Sequence, residues 1–241
     1  MCGLAVSPVA AAWLVLVQLT GGHPLLRTAL VTVLAVPSYA VFALLLTLVT
    51  PLAMRATGWK TPPDTAMRLA EVRWPLLDWV RAMALIHVTR LLAGGLLKGT
   101  PIWSLHLRLC GARVGRRVYV NSLSVSDYNL LTLDDDVVIG AGVHLSGHTV
   151  EGGWVKTGRV CLGRGVTVGL DSIVEIDVDI AAGCLVGAMS FVPKHTRLTE
   201  PGTYVGVPAH RHAPSHAITT GMPTGGPVRY DLPAHTLTPD S

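Results

Sequence analysis

The sequence contains few charged residues. Of its 241 residues, 14% are Asp, Glu, Lys or Arg and 50% are hydrophobic, whereas charged residues make up about a quarter of a typical soluble domain. This shortage excludes a disordered or highly solvated chain, which needs charge to remain in water. A mean hydropathy of +0.48 likewise disfavours a purely soluble single domain.

Basic clusters, aromatic residues and cysteines are also scarce. The net charge is only +4, aromatic residues make up 5%, and no run of Lys and Arg is interleaved with aromatic side chains, so a nucleic-acid partner is not expected. The four cysteines (Cys2, Cys110, Cys161 and Cys184) form no Cys-x-x-Cys pair. We therefore expect neither a disulfide framework nor a metal site, which fits a cytoplasmic domain.

The missing charge is concentrated at the N-terminus. Up to Met54 the only charged side chain is Arg27, and apolar stretches at 4–20 and 28–54 flank it. Because a helix needs about 20 apolar residues to cross a bilayer, two transmembrane helices are predicted, with a turn at 21–24 between them. A buried soluble hairpin and a signal peptide are the alternatives. The signal peptide is disfavoured because no basic segment precedes the first stretch.

The charges that follow these helices predict their orientation. The second stretch is followed by four basic residues, Arg55, Lys60, Arg68 and Arg73. The connecting loop has one, Arg27. Because basic residues are retained on the cytoplasmic side, we expect a cell-membrane protein whose C-terminal domain faces the cytoplasm. A further helical pattern spans roughly 66–98, and the nearby Trp59, Trp74 and Trp79 suit either a membrane-surface helix or a packed one.

The C-terminal half has a six-residue period. Aliphatic residues recur at every sixth position: Leu133, Ile139 and Leu145, and again Leu162, Val168, Val174, Ile180, Val186 and Val192. Neither the period of two of a strand nor the 3.6 of a helix produces this spacing. Three hexads close a triangular coil that buries its apolar side only against the next coil. We therefore predict a mainly β fold built as a parallel β-helix.

The period breaks once. The interval from Leu145 to Leu162 is one residue short of three hexads and contains several glycines together with His148, Glu151 and Lys156. An out-of-register segment that carries glycines and ionisable side chains indicates a loop that leaves the coil.

The hexads resemble those of the hexapeptide-repeat acyltransferases, whose β-helix is left-handed. Three segments narrow the resemblance: GTPIW at 99–103 with LRLCGARVG at 107–115, HTVE at 148–151 followed by Lys156, and GVPA at 206–209. They are similar to one unit from the C-terminal region of nonribosomal peptide synthetases of the poly-lysine-synthetase type. In those enzymes, pairs of membrane helices lie between tandem acyltransferase-like domains.

The resemblance implies transfer of an acyl or aminoacyl group from a thioester to an amine or a hydroxyl. Such a transfer needs a base that takes the proton of the nucleophile, and histidine suits this role near neutral pH. His148 in the out-of-register loop is the first choice for the base, and His144 is the second. Asp127 and Glu151 are candidates to orient the imidazole.

The thioester would belong to coenzyme A or to a phosphopantetheine arm on a carrier protein, and no tightly bound cofactor is expected. Lys156 is a candidate to contact a phosphate of the donor. The segment 206–211, with Gly206, Pro208 and Arg211, resembles the closing loop that contacts the pantetheine channel in hexapeptide acyltransferases.

The resemblance also bears on partners. Active sites in hexapeptide acyltransferases usually lie between neighbouring β-helices, so we expect a homotrimer, or a partner synthetase that has a carrier domain. The alternative is a non-catalytic accessory or scaffold unit, degenerate or split from a nonribosomal peptide synthetase. That alternative is favoured by Gly152 and Gly153, which stand where the related loops carry charged or aromatic residues.

Together these features divide the chain into four parts. Residues 1–57 are predicted to form two transmembrane helices, and 58–100 a linker with a membrane-surface or packing helix. Residues 101–212 are predicted to form the left-handed β-helix domain. Residues 213–241 contain five prolines and no aliphatic period, so they are predicted to be a disordered tail.

Overall fold

The computed structural model describes residues 1–21 and 23–212; the predicted tail at 213–241 lies outside them, as does Gly22 of the predicted turn. The helices are α1 (Cys2–Thr20), α2 (Pro24–Thr57), α3 (Trp74–Thr89), α4 (Gly95–Leu97) and α5 (Pro101–Leu109), with a π-helical turn at Arg90–Gly94 and a 3-10 turn at Tyr128–Leu130. Prolines in the first turn of α2, α3 and α5 favour helix initiation because their fixed φ suits that position.

The first two helices form an antiparallel pair with an apolar surface. Trp13 Nε1 donates a hydrogen bond to Ser38 Oγ at 3.2 Å across the pair, and aliphatic side chains such as Leu19 and Leu25 are 80% and 87% exposed. Both helices are long and apolar enough to cross a membrane, and so is Trp74–Leu97, although a third of its apolar window is buried inside the protein. For this third segment the sequence predicted a membrane-surface or packing helix and not a span.

The second half of α2 joins the helix pair to the rest of the chain. Thr50 Oγ1 lies 2.7 Å from Thr89 Oγ1 of α3, and His106 Nδ1 of α5 donates to the Thr47 carbonyl at 2.9 Å. Burial lowers the pKa of His106. The stacked ring of Trp103 is fully buried beside it, so α5 seals the start of the β-helix.

The predicted helix at 66–98 begins later than expected. Residues Ala66–Arg68 form strand β1, which pairs antiparallel with β8 (Trp154–Thr157), and the helix starts at Trp74. Met67 is the one buried residue of this strand and packs with Val155 and Leu76. The side chains of this segment alternate between exposed and buried, as in a strand, although the sequence pattern predicted a helix here.

The remaining strands build a parallel β-helix, as predicted, except for one strand that belongs to the hairpin sheet and the last strand, which pairs antiparallel. They are β2 (Arg113–Val114), β3 (Tyr119–Val120), β4 (Leu131–Leu133), β5 (Val138–Ile139), β6 (His144–Leu145), β7 (His148–Glu151), β9 (Val160–Leu162), β10 (Thr167–Val168), β11 (Ile173–Val174), β12 (Val178–Ile180), β13 (Cys184–Val186), β14 (Phe191–Val192), β15 (Arg197–Leu198), β16 (Gly202–Val205) and β17 (His210–Arg211). Three faces result, ordered β15-β12-β9-β4-β2, β17-β16-β13-β10-β5-β3 and β14-β11-β6, while β7 joins β8 and β1 in a separate sheet.

The register of the coils follows the hexads. Val168 pairs with Val186, Val174 with Val192, and Ile180 with Leu198, each three hexads further along the chain. The aliphatic positions are buried, which makes one continuous apolar stack. The corner positions need small residues, because a Cβ at Gly169 would lie 2.5 Å from the Ala188 backbone nitrogen.

The out-of-register segment leaves the coil as a β-hairpin. Strands β7 and β8 pair antiparallel across Gly152 and Gly153, whose φ angles are +58° and +78°. Two consecutive residues with positive φ define the tight hairpin turn that glycine favours. The two glycines thus have a structural role in the turn, whatever the activity of the chain.

Candidate active site

The site centres on a contact between His148 and Asp127. His148 is the first residue of β7, and Asp127 immediately precedes the 3-10 turn, so the hairpin departs beside the coil that holds the carboxylate. His148 Nδ1 lies 2.5 Å from Asp127 Oδ2, and the side chains are 24% and 0% exposed, respectively. A carboxylate acceptor at this distance places the proton of a neutral imidazole on Nδ1 and leaves Nε2 as the free acceptor.

Further hydrogen bonds fix the Asp127 carboxylate. Thr61 Oγ1 donates to Oδ1 at 2.8 Å, and Ser126 Oγ donates to Oδ2 at 3.0 Å. Ser146 Oγ lies 3.2 Å from His148 Nδ1 and donates to the His148 carbonyl at 2.9 Å. Both oxygens of a fully buried carboxylate are thereby satisfied, as burial of a charge requires.

Helix α3 supplies a third side of the site. The Trp79 ring meets the His148 imidazole edge-on, with centroids 5.1 Å apart and planes inclined by 68°. Trp79 restricts the ring on one face while Asp127 holds Nδ1, so the imidazole has one defined orientation.

Two grooves meet at the imidazole. The first, here named the α3 groove, has a volume of about 630 Å³ and lies between one face of α3 and the coil that contains Ser124 and Ser126. The second, the sheet groove, has a volume of about 430 Å³ and lies over the β6-β11-β14 face, lined by Glu175 and Phe191 among others. His144 and His148 line both grooves.

His144, the second choice for the base, is exposed on β6. Burial by its surroundings lowers its pKa, and the neighbouring His148 and Arg90 lower it further. The lowered pKa favours the neutral imidazole, and His144 lies at the junction of the grooves without a carboxylate partner among the described residues.

No family model matches the chain. It is 27% identical over 143 residues to Delta-poly-L-ornithine synthetase from Acinetobacter baumannii (strain AB307-0294), a match that covers 59% of this chain and 10% of that protein. The chain thus spans about a tenth of the length of the curated relative it matches.

Two solved structures are similar to it as well. A hexapeptide-repeat acetyltransferase from Vibrio cholerae O1 biovar eltor, complexed with acetyl coenzyme A, is 20% identical with a TM-score of 0.38 over 42% of this chain and 58% of that one. A galactoside acetyltransferase in complex with coenzyme A is 18% identical, with a TM-score of 0.47; the match covers 62% of this chain and 86% of that protein. The chain resembles hexapeptide-repeat acetyltransferases. The resemblance expected from the sequence, including that to a poly-amino-acid synthetase, is confirmed.

Glu151, predicted as an alternative orienter, does not contact the imidazole. It lies three residues along β7 from His148, and side chains separated by an odd number point to opposite faces of a strand. Its carboxylate binds Lys194 Nζ at 2.7 and 2.8 Å and lies 3.6 Å from Lys156 Nζ. The hydrogen bond from Lys194 lowers the pKa of Glu151.

The predicted donor-binding residues lie away from the imidazole. Lys156 is on β8, next to Glu151. The segment with Gly206 and Pro208 folds back on the coil, where Ala209 N donates to the Phe191 carbonyl at 2.7 Å, and Arg211 pairs with Glu200. Within residues 1–21 and 23–212, none of these side chains bonds to His148 or Asp127; the loop instead borders the sheet groove through Phe191.

Sequence analysis missed several residues of the site. Thr61 and Trp79 come from the linker and α3, and neither has a local signal that would mark it. Glu175 does have one, because it occupies a corner position that Gly or Ala occupies in the neighbouring hexads. Its Oε2 accepts the Lys194 backbone N–H at 3.1 Å, and in the described part of the chain it forms no salt bridge.

Proposed function

We propose that this protein is a membrane-anchored acyltransferase that moves an acyl or aminoacyl group from a thioester to an amine or a hydroxyl. The observation that carries the proposal is the buried Asp127 carboxylate bound to Nδ1 of His148, at the point where two grooves meet. A thioester in one groove and a nucleophile in the other would both reach Nε2.

In this reaction His148 acts as general base. As the nucleophile attacks the thioester carbonyl carbon, Nε2 takes its proton, and the Asp127 carboxylate stabilises the resulting imidazolium. Collapse of the tetrahedral intermediate breaks the carbon–sulfur bond and releases the thiolate. The imidazolium then returns the proton to the sulfur, so the base is regenerated and the products are the acylated acceptor and a free thiol.

Glu175 supports an amine as the acceptor. Its half-buried carboxylate lines the sheet groove with no cationic side chain bound to it among the described residues. A negative charge there attracts an ammonium group into the groove, where it must release one proton to solvent before the neutral amine attacks, whereas a hydroxyl acceptor gains nothing from it.

The donor is proposed to be coenzyme A or a phosphopantetheine thioester. The similar Vibrio protein was solved with acetyl coenzyme A, and the curated relative is named as a synthetase of poly-L-ornithine. Lys156, Gly206, Pro208 and Arg211 remain the proposed donor contacts. Because they lie apart from His148 within one chain, a neighbouring copy in a homotrimer, or a partner synthetase with a carrier domain, would bring a donor between them.

The surroundings of the catalytic domain are part of the proposal. The exposed aliphatic surface of α1 and α2 supports insertion into the cell membrane, and the basic residues that follow α2 support a cytoplasmic position for a left-handed β-helix at 101–212. Residues 1–57 then anchor the domain, and 58–100 connect the two.

The test is a transfer assay on the full chain in lipid nanodiscs. We expect free thiol and acylated amine to form in equal amounts from acyl coenzyme A and a primary amine, and thiol release to depend on the amine. If no coenzyme A donor is turned over, and transfer in the presence of a carrier-bearing synthetase is the same with His148→Ala as with the unaltered chain, the chain is the accessory unit of the alternative hypothesis.

Replacing Glu175 by Gln is expected to raise KM for an amine acceptor about fivefold, the effect of losing a partly exposed ion pair worth about 1 kcal/mol. The kcat should stay within about twofold, because Glu175 does not contact the imidazole. Steady-state kinetics with amine and alcohol acceptors would measure this. The matched control is Asp179→Asn, which removes an exposed carboxylate from β12 outside both grooves; an equal rise in KM in both variants would contradict the role of Glu175.

A further inference from the structure

We infer that the α3 groove binds an alkyl chain, so that the group transferred is an aliphatic acyl group and not an aminoacyl group. The inference rests on the proposed function, since it assigns the donor to one of the two grooves that meet at His148.

The wall contributed by α3 is suited to hydrocarbon. Seven residues of α3 line the groove, and most of them recur at helical spacing: Trp79, Val80, Met83, Ala84, Ile86, His87 and Val88. Apart from His87 and the buried indole N–H of Trp79, which has no hydrogen-bond partner among the described residues, these side chains are apolar. A volume of about 630 Å³ lies in the range of about 300 to 1,000 Å³ that small-molecule sites occupy, and such sites combine an apolar lining with a few convergent polar groups.

The charges around the groove disfavour an aminoacyl group. Of the described residues that line it, none is acidic, while Arg90, His144 and His148 are basic. The nearest carboxylate, that of Asp127, is fully buried and already bonded on both oxygens. The ammonium of an aminoacyl group would therefore face the Arg90 guanidinium with no carboxylate among the described lining residues to compensate it, whereas an alkyl chain meets no such cost.

The groove also has a direction. Trp79 contacts His148 at one end of α3, and Arg90 lies at the other, where its guanidinium reaches the Val125 carbonyl at 3.4 Å. Just beyond it, the Leu92 carbonyl accepts a hydrogen bond from Tyr39 of α2 at 2.9 Å. A thioester carbonyl held at His148 can therefore extend its chain along α3 toward the apolar helix pair.

The experiment measures binding rather than turnover. S-ethyl-pantetheine and S-octyl-pantetheine are thioether probes that cannot be cleaved by transfer, and their affinities for the full chain in nanodiscs are compared at equal free concentration. We expect the octyl probe to bind at least about tenfold more tightly, because each buried methylene adds favourable transfer free energy. The exposed Ala84 of α3 is then replaced by Trp to fill the groove.

In the Ala84→Trp variant we expect the octyl advantage to fall below about threefold while ethyl affinity stays within about twofold. The matched control is Ala182→Trp, an exposed alanine between β12 and β13 outside the groove, which should keep the full advantage. Equal affinity of both probes for the unaltered chain would overturn the inference. An equal loss of affinity for both probes in Ala84→Trp would overturn it too, because the groove would then hold the pantetheine arm or the acceptor. Octyl selectivity without any acyl transfer would instead overturn the proposed function and leave the alkyl site standing.

Discussion

Replacing His148 by Ala is expected to lower the rate of acyl transfer by at least about 100-fold, the lower end of what a positioned general base contributes. The side chain lies where both grooves end, and its Nδ1 is held by a buried carboxylate. Without the imidazole, the attacking nucleophile must lose its proton to water. Affinity for S-ethyl-pantetheine should change by less than about twofold, because the base acts on the transition state and not on ground-state binding.

The chain provides a matched control for this variant. His195 also bonds through Nδ1 to an aspartate, Asp177, at 2.7 Å, but its side chain is 65% exposed and lies outside both grooves. His195→Ala should therefore retain activity. Added imidazole should restore part of the activity of His148→Ala, because the deleted side chain leaves room for a free base. Equal activity in the two alanine variants would exclude His148 as the base.

The hexads predict the coil well because burial repeats. Each aliphatic residue of the period, such as Val168 or Ile180, becomes fully buried against its counterpart in the next coil. One face of every strand must be apolar and most corners hold small residues, so each hexad carries its own local signal for the fold. Because the six-residue period is so regular, the hairpin could be recognised as a break in it.

The boundary of the linker helix was harder to predict. Ala66–Arg68 is a strand because β8 of the hairpin, nearly ninety residues later, offers it an edge to pair with. No pattern within residues 66–68 indicates that this strand edge will be available. Propensity over a short segment is readily overridden when tertiary contact satisfies its backbone groups.

The candidate site was only partly predictable for the same reason. His148 is marked by its place in the out-of-register segment, but the choice between Asp127 and Glu151 depends on which face of β7 each carboxylate can reach. Glu151 is nearer in sequence and points away, to Lys194. Asp127 contacts His148 only because the coil before the hairpin passes beneath the imidazole. Thr61 comes from the linker, and no sequence signal marks it.

Asp127→Asn is expected to lower kcat by up to about 10⁴-fold, the loss seen when the buried aspartate that orients the histidine of a catalytic triad is replaced by asparagine. The amide nitrogen can donate to Nδ1, which moves the imidazole proton to Nε2 and removes the free acceptor that the nucleophile needs. Asn is the informative replacement because Asp127 has a φ of +50°, a conformation that Asn tolerates and Ala does not. Alanine would also leave the Thr61 and Ser126 hydroxyls without their acceptor, at a cost of about 1–3 kcal/mol each in the free energy of unfolding.

Asp127 acts through His148, so its test needs a readout that a purely structural role would not change. The ¹⁵N NMR spectrum of labelled histidine reports which imidazole nitrogen carries the proton, and we expect the His148 signal to shift from the Nδ1–H to the Nε2–H form in Asp127→Asn. The KM for the amine should change far less than kcat, since acceptor binding does not involve this carboxylate.

The control for Asp127→Asn is the corresponding change in the exposed pair. Asp177 has a φ of +53° and binds Nδ1 of His195, so Asp177→Asn alters the same kind of contact on the same kind of backbone. It should leave kcat within about twofold, because an exposed pair contributes little and lies outside both grooves. If Asp127→Asn kept full activity with the His148 tautomer changed, Nε2 would not be the acceptor of the nucleophile's proton. If both properties stayed unchanged, the buried carboxylate would serve only to hold the coil, the linker and the hairpin together.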